Sequence, residues 1–133
     1  MSNQITGLSG EYFVAAELLK RNFQVAMTIG TAKAIDLIAI NDSIGETYKV
    51  QVKTLRKQNC FTLHTSKIIP EAIYFFVYLN DTETEPTYFI LKGSELLQRP
   101  EHFYGSSLGR EDKRETVNHG PLQEYKNRWS IMS

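Results

Sequence analysis

The sequence predicts an α/β domain in which a mixed central β-sheet is flanked by helices. The hydrophobic pattern indicates a helix, three strands, an irregular section, two further strands and then helices, an order typical of an α/β sandwich. The chain has 133 residues, of which 41% are hydrophobic, so it can bury a core but is too short for two ordinary domains. We therefore expect residues 1–133 to form a single domain.

One helix and three strands account for the first half of the chain. Residues 8–21 have helical periodicity, with Ser9 as the expected N-cap and Glu11 in the first turn, where the helix dipole favours an acid. The predicted strands are residues 23–29, 34–40 and 47–55. The segment NDSIGE between the last two has the turn-forming residues of a hairpin.

The second half contains two strands that we expect to pair. IYFFVYLN is apolar throughout, as in a central strand covered on both faces, and TYFILK follows it after a polar turn. Before them, CFTLHT is a candidate short strand, and KIIPEA is either a turn or a helical crossover broken by Pro70.

The C-terminal third is predicted to be mainly helix and loop. GSELLQRP indicates a short helix capped by Ser94 and ended by Pro100, and residues 105–120 indicate a polar loop with a mobile middle. Residues 121–132 have the spacing of an amphipathic helix that begins at Pro121. Within the loop, REDKRE is expected to be a solvated run of charges that neutralise one another.

Composition excludes several classes of protein. Fifteen Lys and Arg residues balance fifteen Asp and Glu residues, which argues against coating of nucleic acid through bulk charge but leaves a local basic patch open. Cys60 is the only cysteine, so an intramolecular disulfide and a cysteine zinc cluster are both excluded. The N-terminus lacks the basic and apolar regions of a signal peptide, and no apolar run is long enough to span a bilayer. A cytoplasmic protein without a membrane partner is expected.

Three polar residues interrupt the apolar pattern of the predicted hairpin. Asp36 lies in one strand, and Gln51 and Lys53 lie in the next. If the turn centres on Ile44 and Gly45, Asp36 pairs with Lys53, whereas a two-residue shift pairs it with Gln51. Side chains alternate between the faces of a strand, so all three share one face in either register.

Glu11 adds an acid to this region. Its helical neighbours at i+3, i+4 and i+7 are apolar and are expected to pack on the sheet. A carboxylate on such a face is costly unless it has a partner or lines a cleft. Glu11 is therefore the helix acid expected to belong to a site.

Two carboxylates, an amide oxygen and a lysine form a set suited to metal-dependent phosphodiester hydrolysis. Mg²⁺, or Mn²⁺ in its place, prefers oxygen ligands and needs only one or two carboxylates beside water and substrate phosphate. Glu11, Asp36 and Gln51 would supply the ligands, and Lys53 would orient the attacking water and stabilise developing charge. The competing interpretation is an exposed polar face with an ordinary cross-strand Asp–Lys pair.

The segments GEYFVAAELLKRNFQVA, AIDLIAIND and YKVQVKT resemble the PD-(D/E)XK nuclease superfamily. Within it they are most similar to small proteins related to Holliday-junction resolvases and to QVKT-type bacterial domains. The resemblance runs from Gly10 to Thr54 and implies a three-layer restriction-endonuclease-like sandwich with an αβββαβ-type core. It also implies a metal-dependent DNA endonuclease.

The resemblance carries over to individual positions. Glu11 matches the helix acid, Asp36 the acid that begins a strand, and Lys53 the lysine of the acid-x-Lys motif. Ile35 replaces the usual proline. Gln51 replaces the second acid, which removes one negative charge from the metal site and opens an alternative function. That alternative is a catalytically inactive nuclease-fold protein that binds nucleic acid or another protein.

Four basic residues are candidates for contacts with DNA phosphates: Lys33, Lys49, Arg56 and Lys57. The competing interpretation is an ordinary solvated strand end. The resemblance also implies that two copies of the chain act together as a homodimer.

Overall fold

The fold was examined in a computed structural model that describes residues 3–29, 34–111 and 114–133. The helices are α1 (Asn3–Lys20), α2 (Gly93–Gln98), α3 (Pro100–Tyr104) and α4 (His119–Leu122). The strands are β1 (Gln24–Met27), β2 (Leu37–Asn41), β3 (Glu46–Leu55), β4 (Phe61–Thr62), β5 (Ile73–Tyr78), β6 (Thr87–Lys92) and β7 (Thr116–Val117). Short 3₁₀ helices occupy Thr65–Lys67, Gly105–Ser107, Gln123–Tyr125 and Trp129–Met132.

A mixed sheet forms the centre of the molecule. In the described ranges it has five strands in the order β1-β2-β3-β5-β6. Only β3 and β5 pair in parallel, and the other neighbours are antiparallel. β4 and β7 form a separate two-stranded ribbon. The predicted fold class, a mixed central sheet between flanking layers, is confirmed.

Each face of the sheet carries its own apolar layer. On one face, Val14 and Leu18 of α1 pack with Val50 and Val52 of β3. On the other face, Tyr74, Phe76 and Tyr78 of β5 pack with β4, α3 and α4. All six residues of β5 are buried, as predicted for a central strand covered on both sides.

α1 begins five residues earlier than the sequence indicates. Ser9 and Glu11 therefore lie inside the helix and not at its first turn, so the expected N-cap is wrong. Tertiary contacts stabilise the extra turn. Thr6 is buried, and its hydroxyl oxygen accepts a hydrogen bond from the Arg56 Nε–H at 3.0 Å. Such a contact with a later strand is invisible to local helix propensity.

The KIIPEA segment, predicted to be either a turn or a helical crossover, forms a turn between β3 and β5. The 3₁₀ helix Thr65–Lys67 is followed by a turn at Pro70 and Glu71, with no α-helix between them. After β6, Glu95 accepts a hydrogen bond from the Lys92 N–H at 2.8 Å, so the acid caps α2 in place of Ser94. Pro100 begins α3, a position that suits proline because the first helical N–H needs no partner in the helix.

The predicted loop 105–120 has more structure than expected. Its residues 116–117 form β7, and Glu115 is only 2% exposed, so REDKRE is not uniformly solvated. The middle of this segment, residues 112–113, lies outside the described ranges.

The predicted C-terminal amphipathic helix is wrong. Asn127 has a positive φ of 54° and donates its N–H to the Tyr88 carbonyl at 2.9 Å, while Lys126 bridges to Phe89. These contacts with β6 divide the segment into α4 and two 3₁₀ turns. Trp129 packs on Phe75 and Tyr88 at ring-centroid distances of 5.5 and 5.4 Å. None of the described helices is long and apolar enough to cross a lipid bilayer.

Candidate functional site

The register of the β2–β3 hairpin places Asp36 opposite Gln51. Leu37 pairs with Val50 and Ile38 with Lys49, and Asp36 immediately precedes Leu37. The turn therefore spans residues 42–45, and Gly45 adopts the left-handed backbone conformation that this turn requires, with φ at 69°. Of the two registers compatible with the sequence, the molecule has the one that pairs Asp36 with Gln51.

The Asp36 side chain is buried and held against β3. It is 8% exposed, and its Oδ2 accepts a hydrogen bond from the Val52 N–H at 2.7 Å. Its own N–H donates to the Val50 carbonyl at 3.0 Å. The carboxylate thus accepts the hydrogen bond of a β3 backbone N–H next to the start of β2. This bond fixes the orientation of the Asp36 side chain.

Tyr74 shows on which side of the sheet the Asp36 charge acts. Burial raises the pKa of the Tyr74 phenol. The Ile69 N–H donates a hydrogen bond to the phenol oxygen at 3.0 Å and acts to lower this pKa, whereas the negative charge of the Asp36 carboxylate acts to raise it. Tyr74 belongs to the aromatic layer opposite α1. Asp36 is therefore electrostatically coupled to that layer.

Gln51 and Lys53 face the same layer. Gln51 lies beside Tyr74 and Lys53 beside Phe76 in the parallel ladder between β3 and β5. Both side chains are half-buried and line a cleft of about 430 Å³ together with Tyr74 and Leu63. Asp36, Gln51 and Lys53 thus come from adjacent positions of two paired strands.

Glu11 approaches from the opposite layer. It is 9% exposed, and the buried face of α1 to which it belongs packs on the side of β3 that carries Val50 and Val52. The participation of Glu11 in a shared metal site stays a prediction.

The four predicted phosphate-binding residues have different surroundings. Lys49 and Lys57 are exposed, at the outer part of β3 and just beyond its end. Arg56 is half-buried because its Nε–H bonds Thr6. Lys33 lies outside the described residues.

Three further residues of the cleft were not singled out as site residues in the sequence: His64, Lys67 and Tyr74. His64 caps the 3₁₀ turn, because its Nδ1 accepts a hydrogen bond from the Ser66 N–H at 3.3 Å. No local signal marks Lys67 or Tyr74, because their proximity to Lys53 depends on β5 pairing with β3.

The donor set suits a hard divalent cation. Asp36 offers a carboxylate and Gln51 a neutral amide oxygen from opposite positions of the hairpin. Mg²⁺ prefers oxygen ligands and keeps several waters, so two such side chains beside substrate oxygens meet its requirements. Among the described residues, no three His, Cys, Asp or Glu side chains are grouped for metal binding.

Comparisons with solved structures give a clear likeness. A bacterial homing endonuclease, I-Ssp6803I, superimposes with a TM-score of 0.65 and 18% sequence identity, over 98% of this chain and 91% of that one. The Holliday junction resolvase Hjc of Archaeoglobus fulgidus gives a TM-score of 0.47 and 14% identity, over 66% of this chain and 73% of that one. No protein-family model matches the sequence, and no curated protein matches it at a significant level. The first likeness spans nearly the whole of both chains and establishes a shared fold.

Proposed function

We propose that this chain, which has the restriction-endonuclease-like fold, is a metal-dependent endonuclease that hydrolyses phosphodiester bonds in DNA. The observation that carries the proposal is the hairpin register, which sets Asp36 opposite Gln51 with Lys53 two residues further along the same strand. This arrangement sets the Asp36 carboxylate beside Gln51 and Lys53, two residues that line a cleft. The name of the similar solved structure, a homing endonuclease, favours the same activity.

Asp36 and Gln51 would hold Mg²⁺ or Mn²⁺, with Glu11 as the proposed second carboxylate. The bound ion would supply Lewis-acid polarisation of the scissile phosphate. The Val52 N–H orients the Asp36 carboxylate by donating to one of its oxygens, which leaves the side chain little rotational freedom. Pre-orientation of this kind lowers the entropic cost of assembling the site.

Lys53 is the proposed catalytic residue. Its ammonium group would orient the attacking water and stabilise the negative charge that develops on the phosphate oxygens. Lys33, Lys49, Arg56 and Lys57 would contact flanking phosphates, which bind the duplex without reading its sequence. Homodimerisation, implied by the sequence resemblance, is part of the proposal, and light scattering on the purified chain tests it.

Cleavage of plasmid and branched DNA in Mg²⁺ or Mn²⁺ tests the proposal. We expect the wild-type chain to nick these substrates, and Asp36→Ala and Lys53→Ala to lower the rate about a hundredfold or more, because each removes a group that acts on the reacting phosphate. Lys20→Ala is the control, since Lys20 is an exposed lysine in the last turn of α1. Absence of both metal binding and cleavage in the wild type would contradict the proposal.

A second candidate function rests on Gln51. An amide in place of an acid weakens the attraction for a divalent cation, and this favours a catalytically inactive nuclease-fold protein that binds nucleic acid or another protein. The same experiment separates the two functions. DNA binding by the wild type, with no cleavage in either metal and no calorimetric signal for Mn²⁺, identifies the inactive protein.

A further inference from the structure

Two adjoining clefts meet at Lys53. The first, of about 430 Å³, extends from Gln51 and Lys53 toward His64 and Lys67. The second, of about 420 Å³, extends from Lys53 toward Arg56 and the start of α1. Lys53 and Thr62 line both clefts, so the two clefts adjoin at the candidate catalytic lysine, and together they are called the groove.

The charged side chains along this groove are basic. Lys67 lies in the first cleft, Arg56 in the second and Lys53 between them, and no described Asp or Glu lines either cleft. The whole chain has equal numbers of acidic and basic residues, so this segregation is not a consequence of composition. A groove with this charge attracts a polyanion locally in a protein whose net charge is zero.

The turn that carries Lys67 is firmly anchored at its start. The Glu115 carboxylate accepts hydrogen bonds from the Thr65 N–H and hydroxyl, both at 2.8 Å, and its Oε1 lies 3.4 Å from His64 Nε2. Nδ1 of the same ring accepts from the Ser66 N–H at 3.3 Å. His64 with a proton on Nε2 satisfies both contacts. Lys67 itself is exposed, so its ammonium group is available to a ligand while the backbone beneath it is fixed.

Arg56 is anchored at the other end. Its Nε–H donates to the Thr6 hydroxyl, which fixes the guanidinium beside α1. A guanidinium has five N–H donors in a planar fork, and the four that are not on Nε belong to the two Nη atoms. Arginine in such a position suits a phosphate group, which accepts two parallel hydrogen bonds.

We propose that one strand of the nucleic acid lies along this groove, with Lys67 and Arg56 bound to backbone phosphates on either side of the phosphodiester at Lys53. Lys67 is thus a phosphate-binding residue, and His64 and Glu115 are positioning residues for its turn. The inference rests on the proposed function, because it assigns the path that the DNA substrate of that function follows across the protein. Lys49 lines neither cleft and contributes less to binding.

Salt-dependent DNA binding tests this path. Anisotropy of a fluorescently labelled DNA duplex is measured in EDTA, so that the DNA is not cleaved, over a range of NaCl concentrations. We expect Lys67→Ala to weaken binding several-fold and to reduce the slope of log K against log[salt] by about 0.9, the value for one lost phosphate contact. Arg56→Ala should have a similar effect, and the double variant should lose about twice as much slope.

Lys20→Ala is the matched control, because it removes an exposed lysine that lines neither cleft. Thermal unfolding of Lys67→Ala should match that of the wild type, which separates lost contact from lost structure. If the wild type binds and Lys67→Ala keeps the salt slope of Lys20→Ala, the path is overturned while the proposed function stands. If the wild type binds no DNA in EDTA, the path is overturned, and if it also shows neither metal binding nor cleavage in Mg²⁺ or Mn²⁺, the proposed function fails as well.

Discussion

Asp36 and Glu115 are both buried carboxylates, but their hydrogen bonds give them different roles. Oδ2 of Asp36 accepts from the Val52 N–H, and Asp36 lies beside Gln51 at the start of β2. Glu115 accepts at both of its oxygens, from Thr65 at one and from the Gly109 N–H at the other at 2.7 Å. A carboxylate bonded at both oxygens by its own backbone stabilises the fold and has little capacity left for a ligand.

The pKa of Glu115 reflects this bonding. Burial acts to raise it, but the hydrogen bonds from Thr65 and Gly109, together with nearby His64, hold the pKa of Glu115 below its usual value of 4.5. A pKa that is lower in the folded state than in the unfolded state adds stability. This stability is complete above about pH 4.5 and is lost as the pH falls through the folded-state pKa.

We expect Glu115→Gln to lower the free energy of unfolding at neutral pH by about 1.5–3 kcal/mol, the range for hydrogen bonds to a charged group. The difference from the wild type should shrink as the pH falls below 4.5, where the wild-type carboxyl group also becomes neutral. Urea denaturation across this pH range measures both effects. Glu111→Gln is the control, since it makes the same change at an exposed position nearby. An equal loss in both variants would refute the structural role of Glu115.

α1 lies close to β3 at Gly10. A Cβ atom at this position would lie 1.8 Å from Thr54 Oγ1, far inside van der Waals contact. Gly7 is in the same helix, and a Cβ atom there would meet nothing within 4 Å. The absence of a side chain at Gly10 therefore sets the distance between the two elements and the depth of the neighbouring Glu11.

We expect Gly10→Ala to lower the free energy of unfolding by about 1–3 kcal/mol, because the helix or Thr54 has to move to admit the methyl group. Gly7→Ala should raise it by about 0.5–1 kcal/mol, since alanine loses less entropy than glycine in a helix. Urea denaturation of the two variants provides the comparison. Equal stability of the two variants would show that α1 does not pack this closely on β3.

The molecule has two apolar layers that share one strand. Tyr74, Phe76 and Tyr78 of β5 belong to one layer, and the alternate residues of the same strand belong to the other. Neither layer can lose its packing without exposing one face of β5. Residues 1–133 are therefore expected to behave as a single cooperative domain.

Trp129 provides a test of this cooperativity. It is the only tryptophan and packs on the α1-side layer, with the Arg21 guanidinium 4.0 Å from its ring centroid. We expect the unfolding curves from Trp129 fluorescence and from far-ultraviolet circular dichroism to coincide in urea, because one probe reports one layer and the other reports the whole backbone. Two separate midpoints would contradict a single domain. A Trp129→Phe variant followed by circular dichroism alone controls for an effect of the tryptophan itself.

The sequence predicts those elements whose hydrophobic pattern and turn residues lie within a few positions of one another. The β2–β3 hairpin, the apolar β5 and the pairing of β5 with β6 depend on side-chain alternation and turn residues within a few positions of one another. The same alternation places Gln51 and Lys53 on one face of a strand. Local pattern also identifies Asp36 as a polar residue in an apolar strand, so the sequence alone points to three of the candidate site residues.

Tertiary contacts decide the rest. The sequence allows two hairpin registers, and the bond from the Val52 N–H to the buried Asp36 carboxylate accompanies the one that pairs Leu37 with Val50. Residues 121–132 have helical spacing, yet backbone hydrogen bonds to β6 divide them. Lys67 joins the groove only because β5 pairs with β3. In each case the deciding energy comes from residues distant in the chain, which a local pattern does not contain.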